Sequence, residues 1–124
     1  MIRDRRVIRP PRIPIARSVD AMSDYQPEPL TDRDADAQTS GAWTVVDGAL
    51  VATFRPGTMV RGLDMVTAVV AAAEEANHHP DIDLRYPTVT YRLTTHSAGQ
   101  LTSYDVALAQ RIDAIAAEKE IEAA

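Results

Sequence analysis

The chain has 124 residues, enough for one domain and too few for two ordinary ones. Hydrophobic residues make up 45% of it, charged residues 25% and aromatic residues 5%, a composition typical of globular rather than disordered or fibrous proteins. No apolar run approaches the roughly 20 residues of a membrane span, and cysteine is absent. Composition therefore argues against a membrane protein and excludes disulfides, thiolate nucleophiles and iron–sulfur sites, and we expect a cytoplasmic location.

The net charge of −5 is unevenly distributed along the chain. Residues 1–21 have a net charge of +4, whereas residues 22–124 have a net charge of −9. Because an acidic domain repels a phosphate backbone, general nucleic-acid binding by the body is not expected. Residues 1–29 contain five prolines and no apolar period, so we expect a disordered arm. This arm is either a basic segment that contacts an anionic surface or, as we favour, an extension upstream of a true start at Met22.

The first predicted elements are a short helix and a β-hairpin. Thr31 or Asp32 can cap a helix whose first turn is acidic. Two apolar runs, at 43–46 and 49–54, then flank Asp47-Gly48, a pair that accepts the positive φ angles of a type I′ turn. This pattern predicts two antiparallel strands.

A long helix is predicted next, from about Met59 to Ala76, with Asn77 as its terminator. Its apolar residues recur at spacings of four and three, which places them on one face that we expect to be buried. The members of this face are Met59, Leu63, Val66, Val70 and Ala73.

The second half of the chain predicts a possible short strand in 81–86, a strand at 88–95 and a final helix. Residues 88–95 alternate between apolar and polar side chains, as in a half-buried strand. Thr102 and Asp105 have the spacing of a capping box at the start of the last helix, and residues 118–124 are expected to fray. The order α-β-β-α-β-β-α predicts an α+β fold with a four-stranded antiparallel sheet and three helices on one face, in a domain spanning 30–117.

The three histidines, His78, His79 and His96, are the clearest candidates for chemistry. Histidine suits proton transfer near neutral pH, because its charge changes there. Alternatives remain: two imidazoles at a helix C-terminus can simply interact with exposed carbonyls, and three imidazoles together can bind a metal. Strand alternation places His96 with the polar side chains rather than in the core.

Two carboxylates accompany these histidines. Glu74 lies four residues before His78, one helical turn away, so it is predicted to orient that imidazole. Glu74 could equally belong to a solvated acidic face, and Asp105 could be a cap residue only. From the residues alone, a histidine-centred acid–base or binding site is the furthest conclusion.

The chain resembles the pterin-4a-carbinolamine dehydratase family. The resemblance rests on an acid, three residues and then His-His-Pro at 74–80, a Thr-His pair at 95–96 and an acid at the start of the next helix, Asp105. It extends over roughly residues 30–117. The aromatic residue often found shortly after His-His-Pro is absent, and Gln100 stands where the family commonly has glycine.

This resemblance implies a fold and an activity. It implies dehydration of a 4a-hydroxytetrahydropterin to quinonoid dihydropterin in tetrahydrobiopterin recycling, without metal or bound cofactor, by a protein that self-associates as a dimer or tetramer. By the match, His78 and His96 form the acid–base pair, and which of them gives the proton stays open. His79, Glu74, Asp105 and Thr95 are expected on the substrate-binding side.

The resemblance also implies partners. They are the pterin substrate and the pathway of a pterin-dependent hydroxylase. Relatives that act as transcription-factor dimerisation cofactors or RuBisCO assembly chaperones supply a non-catalytic alternative.

Overall fold

The computed structural model describes residues 27–124, so the basic head and the proposed start at Met22 lie outside the described residues. Within residues 27–124, three helices and five strands follow in the order α1, β1, β2, α2, β3, β4, α3, β5. Their bounds are α1 Asp32–Ala37, β1 Thr44–Val46, β2 Ala49–Arg55, α2 Met59–Ala76, β3 Asp81–Leu84, β4 Val89–Leu93, α3 Ser103–Glu118 and β5 Glu122–Ala123. The predicted α+β fold is confirmed.

The sheet is antiparallel throughout, with the strand order β1-β2-β4-β3 and with β5 paired to the end of β2. The predicted hairpin joins β1 to β2, and Asp47 and Gly48 have φ angles of 50° and 75°, as a type I′ turn requires. On the core side of β4, Tyr91 lies opposite Ala52 of β2 and Ile82 of β3. The two central strands are therefore β2 and β4, and their inward side chains form the floor of the core.

The core lies between this sheet and the helices. Phe54 makes edge-to-face contacts with Trp43 and Tyr91, with ring centroids 6.3 and 6.0 Å apart. The Trp43 indole N–H donates to Asp113 of α3 over 2.9 Å, which ties the hairpin to the last helix. The Tyr91 hydroxyl is buried without a hydrogen-bond partner among the described residues.

The predicted face of α2 is only partly buried, because Ala73 is buried and Val66 packs against the core but the other members are exposed. Met59, Leu63 and Val70 are exposed, and the helix packs inward through a neighbouring stripe instead. The buried stripe consists of Gly62, Met65, Val69, Ala72 and Ala73. Both stripes have helical spacing, so periodicity could not decide between them. At Gly62 a Cβ atom would lie 2.8 Å from Leu84 Cδ1, so this glycine permits the close approach of β3.

Both ends of the predicted domain differ from expectation. Glu28, placed in the disordered arm, accepts a backbone hydrogen bond from Ser103 over 2.8 Å. The C-terminal tail, expected to fray, is held by a Schellman motif in which Ile121 donates to the Ala116 carbonyl over 2.9 Å. Glu120 takes the left-handed conformation that the motif needs, with φ of 58°. Ile121 is consequently buried, and β5 adds to the sheet.

Candidate functional site

The end of α2 directs the two adjacent histidines. Asn77 ends the helix in the left-handed conformation, with φ of 52°, and its N–H donates to the Glu74 carbonyl over 3.2 Å. The His78 N–H donates to the Ala73 carbonyl over 3.1 Å, which completes a Schellman motif. Because the chain leaves the helix axis here, His78 is no longer one helical turn from Glu74.

The two histidines consequently have different partners from the predicted one. His78 Nε2 lies 2.6 Å from Asp105 Oδ1, and His79 Nε2 lies 2.6 Å from Glu74 Oε2. The prediction that Glu74 orients His78 is therefore wrong, since it contacts the neighbouring imidazole. The residue that does contact His78 is 27 positions further along the chain.

Asp105 is both a helix cap and the carboxylate partner of His78. Its Oδ2 accepts from the Thr102 N–H over 2.9 Å, and Thr102 is the N-cap of α3, so the predicted capping box is confirmed. The same oxygen accepts from the Thr95 hydroxyl over 2.7 Å. The Asp105 and Thr102 side chains are fully buried and Thr95 is nearly so. One carboxylate thus links the segment after β4, the start of α3 and the loop after α2.

His78 lies in the wall of a cavity of about 490 Å³ between the second half of α2 and the first half of α3. The volume falls within the range of small-molecule sites. Alanine side chains from both helices leave this space open, and the Tyr104 ring makes an edge contact with the His78 ring at 5.7 Å. At the edge of the cavity, Arg111 donates to Glu75 over 3.3 Å.

The other two predicted histidines are exposed. His79 and Glu74 are 52% and 70% exposed, whereas the His78 side chain is 12% exposed. His96 lies in the turn after β4, next to Thr95, and its imidazole makes no hydrogen bond to any described residue. The structure therefore joins His78, Thr95 and Asp105 in one network and His79 and Glu74 in another. It shows no direct contact between His96 and either network.

Sequence reasoning missed Thr102 as a part of the site. Its hydroxyl lies 2.7 Å from that of Thr95 and accepts from the Tyr104 N–H over 3.2 Å. The capping-box spacing was the available signal, although it indicated a helix start and not a site. Within residues 27–124, no group of three histidine, aspartate or glutamate side chains is arranged to hold a metal ion.

The family model described as "Pterin 4 alpha carbinolamine dehydratase" matches residues 28–115. The chain belongs to the pterin-4a-carbinolamine dehydratase family. A Mycobacterium tuberculosis protein named "Putative pterin-4-alpha-carbinolamine dehydratase" is 43% identical over 88 residues, which cover 69% of this chain and 94% of the relative. The resemblance seen in the histidine spacing is thereby confirmed.

Two solved structures of pterin dehydratase-like proteins are similar to this one. A Brucella melitensis protein described as "transcriptional coactivator/pterin dehydratase" has a TM-score of 0.67 at 26% identity, over 72% of this chain and 99% of its own. A pterin dehydratase-like protein identified as a RuBisCO assembly factor in the alpha-carboxysome has a TM-score of 0.50 at 25% identity, over 60% of this chain and 86% of its own. The dehydratase fold therefore occurs in proteins with more than one described role.

Proposed function

We propose that this chain dehydrates a 4a-hydroxytetrahydropterin to quinonoid dihydropterin and water, as a step of tetrahydrobiopterin recycling. The observation that carries the proposal is the His78 imidazole, which lines a cavity and is held from behind by a fully buried carboxylate. Membership of the dehydratase family supports the choice of substrate. An imidazole fixed by a carboxylate is an arrangement suited to proton transfer.

The reaction needs one proton donor and one proton acceptor. The bond between C4a and the hydroxyl oxygen breaks, and that oxygen takes up a proton and leaves as water. The electrons of the adjacent ring N–H bond form the new C=N double bond, and its proton passes to a base. His78 and His96 are the proposed pair, because one is fixed at the cavity and the other is exposed and can exchange protons with solvent.

His79 and Glu74 are the proposed substrate-holding pair. Both side chains are largely exposed, and the contact between them keeps the imidazole close to the end of α2. An exposed pair can rearrange around a ligand at little cost, because surface ion pairs contribute less than about 1 kcal/mol. Their loss is therefore expected to weaken binding more than chemistry.

Self-association is the second part of the proposal, and a second copy of this chain is the proposed occupant of the exposed stripe of α2. Met59, Leu63 and Val70 recur at heptad-like spacing, and Leu63 is 56% exposed. Antiparallel pairing of two α2 helices about a twofold axis would cover this stripe on both copies.

Self-association has its own test. Sedimentation velocity is expected to give a dimer or tetramer for the wild type and a smaller species for Leu63→Glu. The matched exposed change Thr44→Glu, on β1, is expected to leave the oligomer intact. Equal sedimentation of wild type and Leu63→Glu would contradict this interface.

The alternative function is a non-catalytic assembly or dimerisation factor. The exposed α2 stripe favours it, as do the coactivator and assembly-factor descriptions of the two similar structures. The two functions separate experimentally, because an assembly factor should not need its imidazoles. A stoichiometric partner recovered equally by wild type and by the triple alanine variant of His78, His79 and His96 would support the alternative.

The test of the dehydratase proposal is loss of the 4a-hydroxypterin absorbance in an assay coupled to a pterin-dependent hydroxylase in solution. We propose that the protein works in the cytoplasm. Among the described residues, no helix is long and apolar enough to cross a membrane. The wild type is expected to exceed His96→Ala by about 100-fold or more, the usual contribution of a general acid or base. A wild type no faster than this variant or the blank would refute the activity.

A further inference from the structure

Two donors, the Thr102 N–H and the Thr95 hydroxyl, approach Oδ2 of Asp105, and this fixes the direction of the surrounding hydrogen bonds. An ionised carboxylate can only accept, so the Thr95 hydroxyl, 2.7 Å from Oδ2, must donate to it. A threonine hydroxyl has one hydrogen. The 2.7 Å contact between the Thr95 and Thr102 hydroxyls is therefore a bond that Thr102 donates.

The chain of bonds continues into the backbone of α3. Having donated to Thr95, the Thr102 hydroxyl can still accept, and it does so from the Tyr104 N–H over 3.2 Å. Oδ2 of Asp105 also accepts a second hydrogen bond, from the backbone N–H of Thr102, over 2.9 Å. With Oδ2 saturated by two donors, Oδ1 is the oxygen left for His78 at 2.6 Å.

An ionised Asp105 also assigns the tautomer of His78. Since Oδ1 accepts, the proton of that contact belongs to Nε2, and a neutral imidazole then has its lone pair on Nδ1. Nδ1 makes no hydrogen bond to any described residue, and the ring lines the cavity. His78 is thereby prepared to accept a proton, whereas an Nδ1–H tautomer would be prepared to give one.

We infer that Thr95 and Thr102 are positioning residues that act through Asp105 to fix His78 as the Nε2–H tautomer, and that Nδ1 of His78 accepts the ring proton of the substrate. The inference rests on the proposed dehydration for its second half and names the direction that the sequence left open. It makes His96 the donor to the leaving hydroxyl. It also assigns Thr95 and Asp105 to positioning the imidazole from behind, since their polar atoms are occupied by one another.

The chain offers a matched control for the threonine hydroxyls. Thr53 and Thr90 form a second hydroxyl pair, 2.8 Å apart, on β2 and β4. Neither is bonded to Asp105 or to a histidine. Thr95→Val and Thr90→Val therefore each remove one hydroxyl from a threonine pair, but only the first disturbs the carboxylate behind His78.

The experiment combines ¹⁵N spectroscopy of the histidine rings with steady-state kinetics on the full chain. At a pH where His78 is neutral, the wild type and Thr90→Val are expected to show protonated Nε2 with a slowly exchanging proton, and unprotonated Nδ1. In Thr95→Val that proton should exchange faster, and kcat should fall on the order of tenfold with KM retained, the lower end of the scale for outer partners that orient metal-bound histidines. Thr95→Ser should restore both properties.

The possible failures are distinguishable. A wild-type His78 with protonated Nδ1, or a Thr95→Val spectrum and kcat equal to those of Thr90→Val, overturns the positioning role even if the enzyme is active. Absence of dehydratase activity in a wild type with the expected tautomer overturns the acceptor role together with the proposed function. In that case the spectra still decide the positioning role.

Discussion

Residues 27–124 contain two histidine–carboxylate pairs with the same Nε2–O distance of 2.6 Å but different surroundings. The His78–Asp105 pair is almost completely buried and its carboxylate has two further donors, whereas both members of the His79–Glu74 pair are more than half exposed. Water competes for the second pair and dissolved ions screen it, while the first has neither competitor. The two contacts therefore cannot be distinguished by distance alone. They differ in burial and in the further donors that saturate the carboxylate.

The largest expected difference between the pairs is in stability. Asp105→Asn replaces a buried acceptor by an amide whose NH₂ group would face donors, and it weakens the α3 cap, so we expect a loss of about 2–4 kcal/mol in the free energy of unfolding. Glu74→Gln should change it by less than about 0.5 kcal/mol. Urea denaturation of both variants checks this, and equal losses would remove the distinction between the pairs.

Substitutions of the cap residue Thr102 separate the structural role of the buried pair from its chemical role. Thr102→Val loses the hydroxyl that accepts from Tyr104 and donates to Thr95, so we expect a loss of about 1–2 kcal/mol. Thr102→Ser keeps that hydroxyl and should retain most of the stability. If thermal unfolding shows the serine variant as unstable as the valine variant, packing of the methyl group and not the hydrogen bonds explains Thr102.

A smaller effect is expected where a buried polar group has no partner. Burial of Tyr91 raises the pKa of its hydroxyl, and the oxygen has no hydrogen-bond partner among residues 27–124. Because an unpaired buried hydroxyl is unfavourable, Tyr91→Phe should leave stability unchanged or raise it by about 1 kcal/mol. A marked loss of stability in this variant would mean that the hydroxyl is satisfied in solution.

The same tyrosine gives a pH dependence of known sign. Its folded pKa lies above the unfolded value of about 10, so the folded state is favoured fully below pH 10 and loses this contribution as the pH rises further. The free energy of unfolding of Tyr91→Phe should therefore fall less steeply with pH above pH 10 than that of the wild type. If urea denaturation shows that the two proteins lose stability in parallel as the pH rises above 10, Tyr91 is not the cause of the loss.

Much of the fold could be predicted because local signals are unambiguous there. Asp47-Gly48 is compatible with few conformations other than a tight hairpin, and Thr102 with Asp105 has the spacing of a cap. The buried face of α2 could not be predicted, because the helix has two apolar stripes and only the sheet decides which one is covered. The tail was predicted wrongly because its sequence is mostly charged and only one apolar residue, Ile121, anchors it.

The site was only partly predictable for a similar reason. The histidines were found by residue type and by family spacing, and both are properties of the sequence. Their partners depend on how the chain turns at Asn77, which moves His78 away from Glu74 and towards a carboxylate on another helix. Sequence spacing describes contacts within a regular helix and does not describe contacts beyond its end.

The most direct test of the central claim is to compare kcat and KM for the dehydration of 4a-hydroxytetrahydropterin in Asp105→Asn and Glu74→Gln. If His78, held by Asp105, takes part in the proton transfer and the exposed pair holds the substrate, Asp105→Asn should lower kcat by about 100-fold or more. Glu74→Gln should then raise KM a few-fold and leave kcat within about twofold. Equal kcat values in the two variants, or a larger fall in Glu74→Gln, would contradict the account.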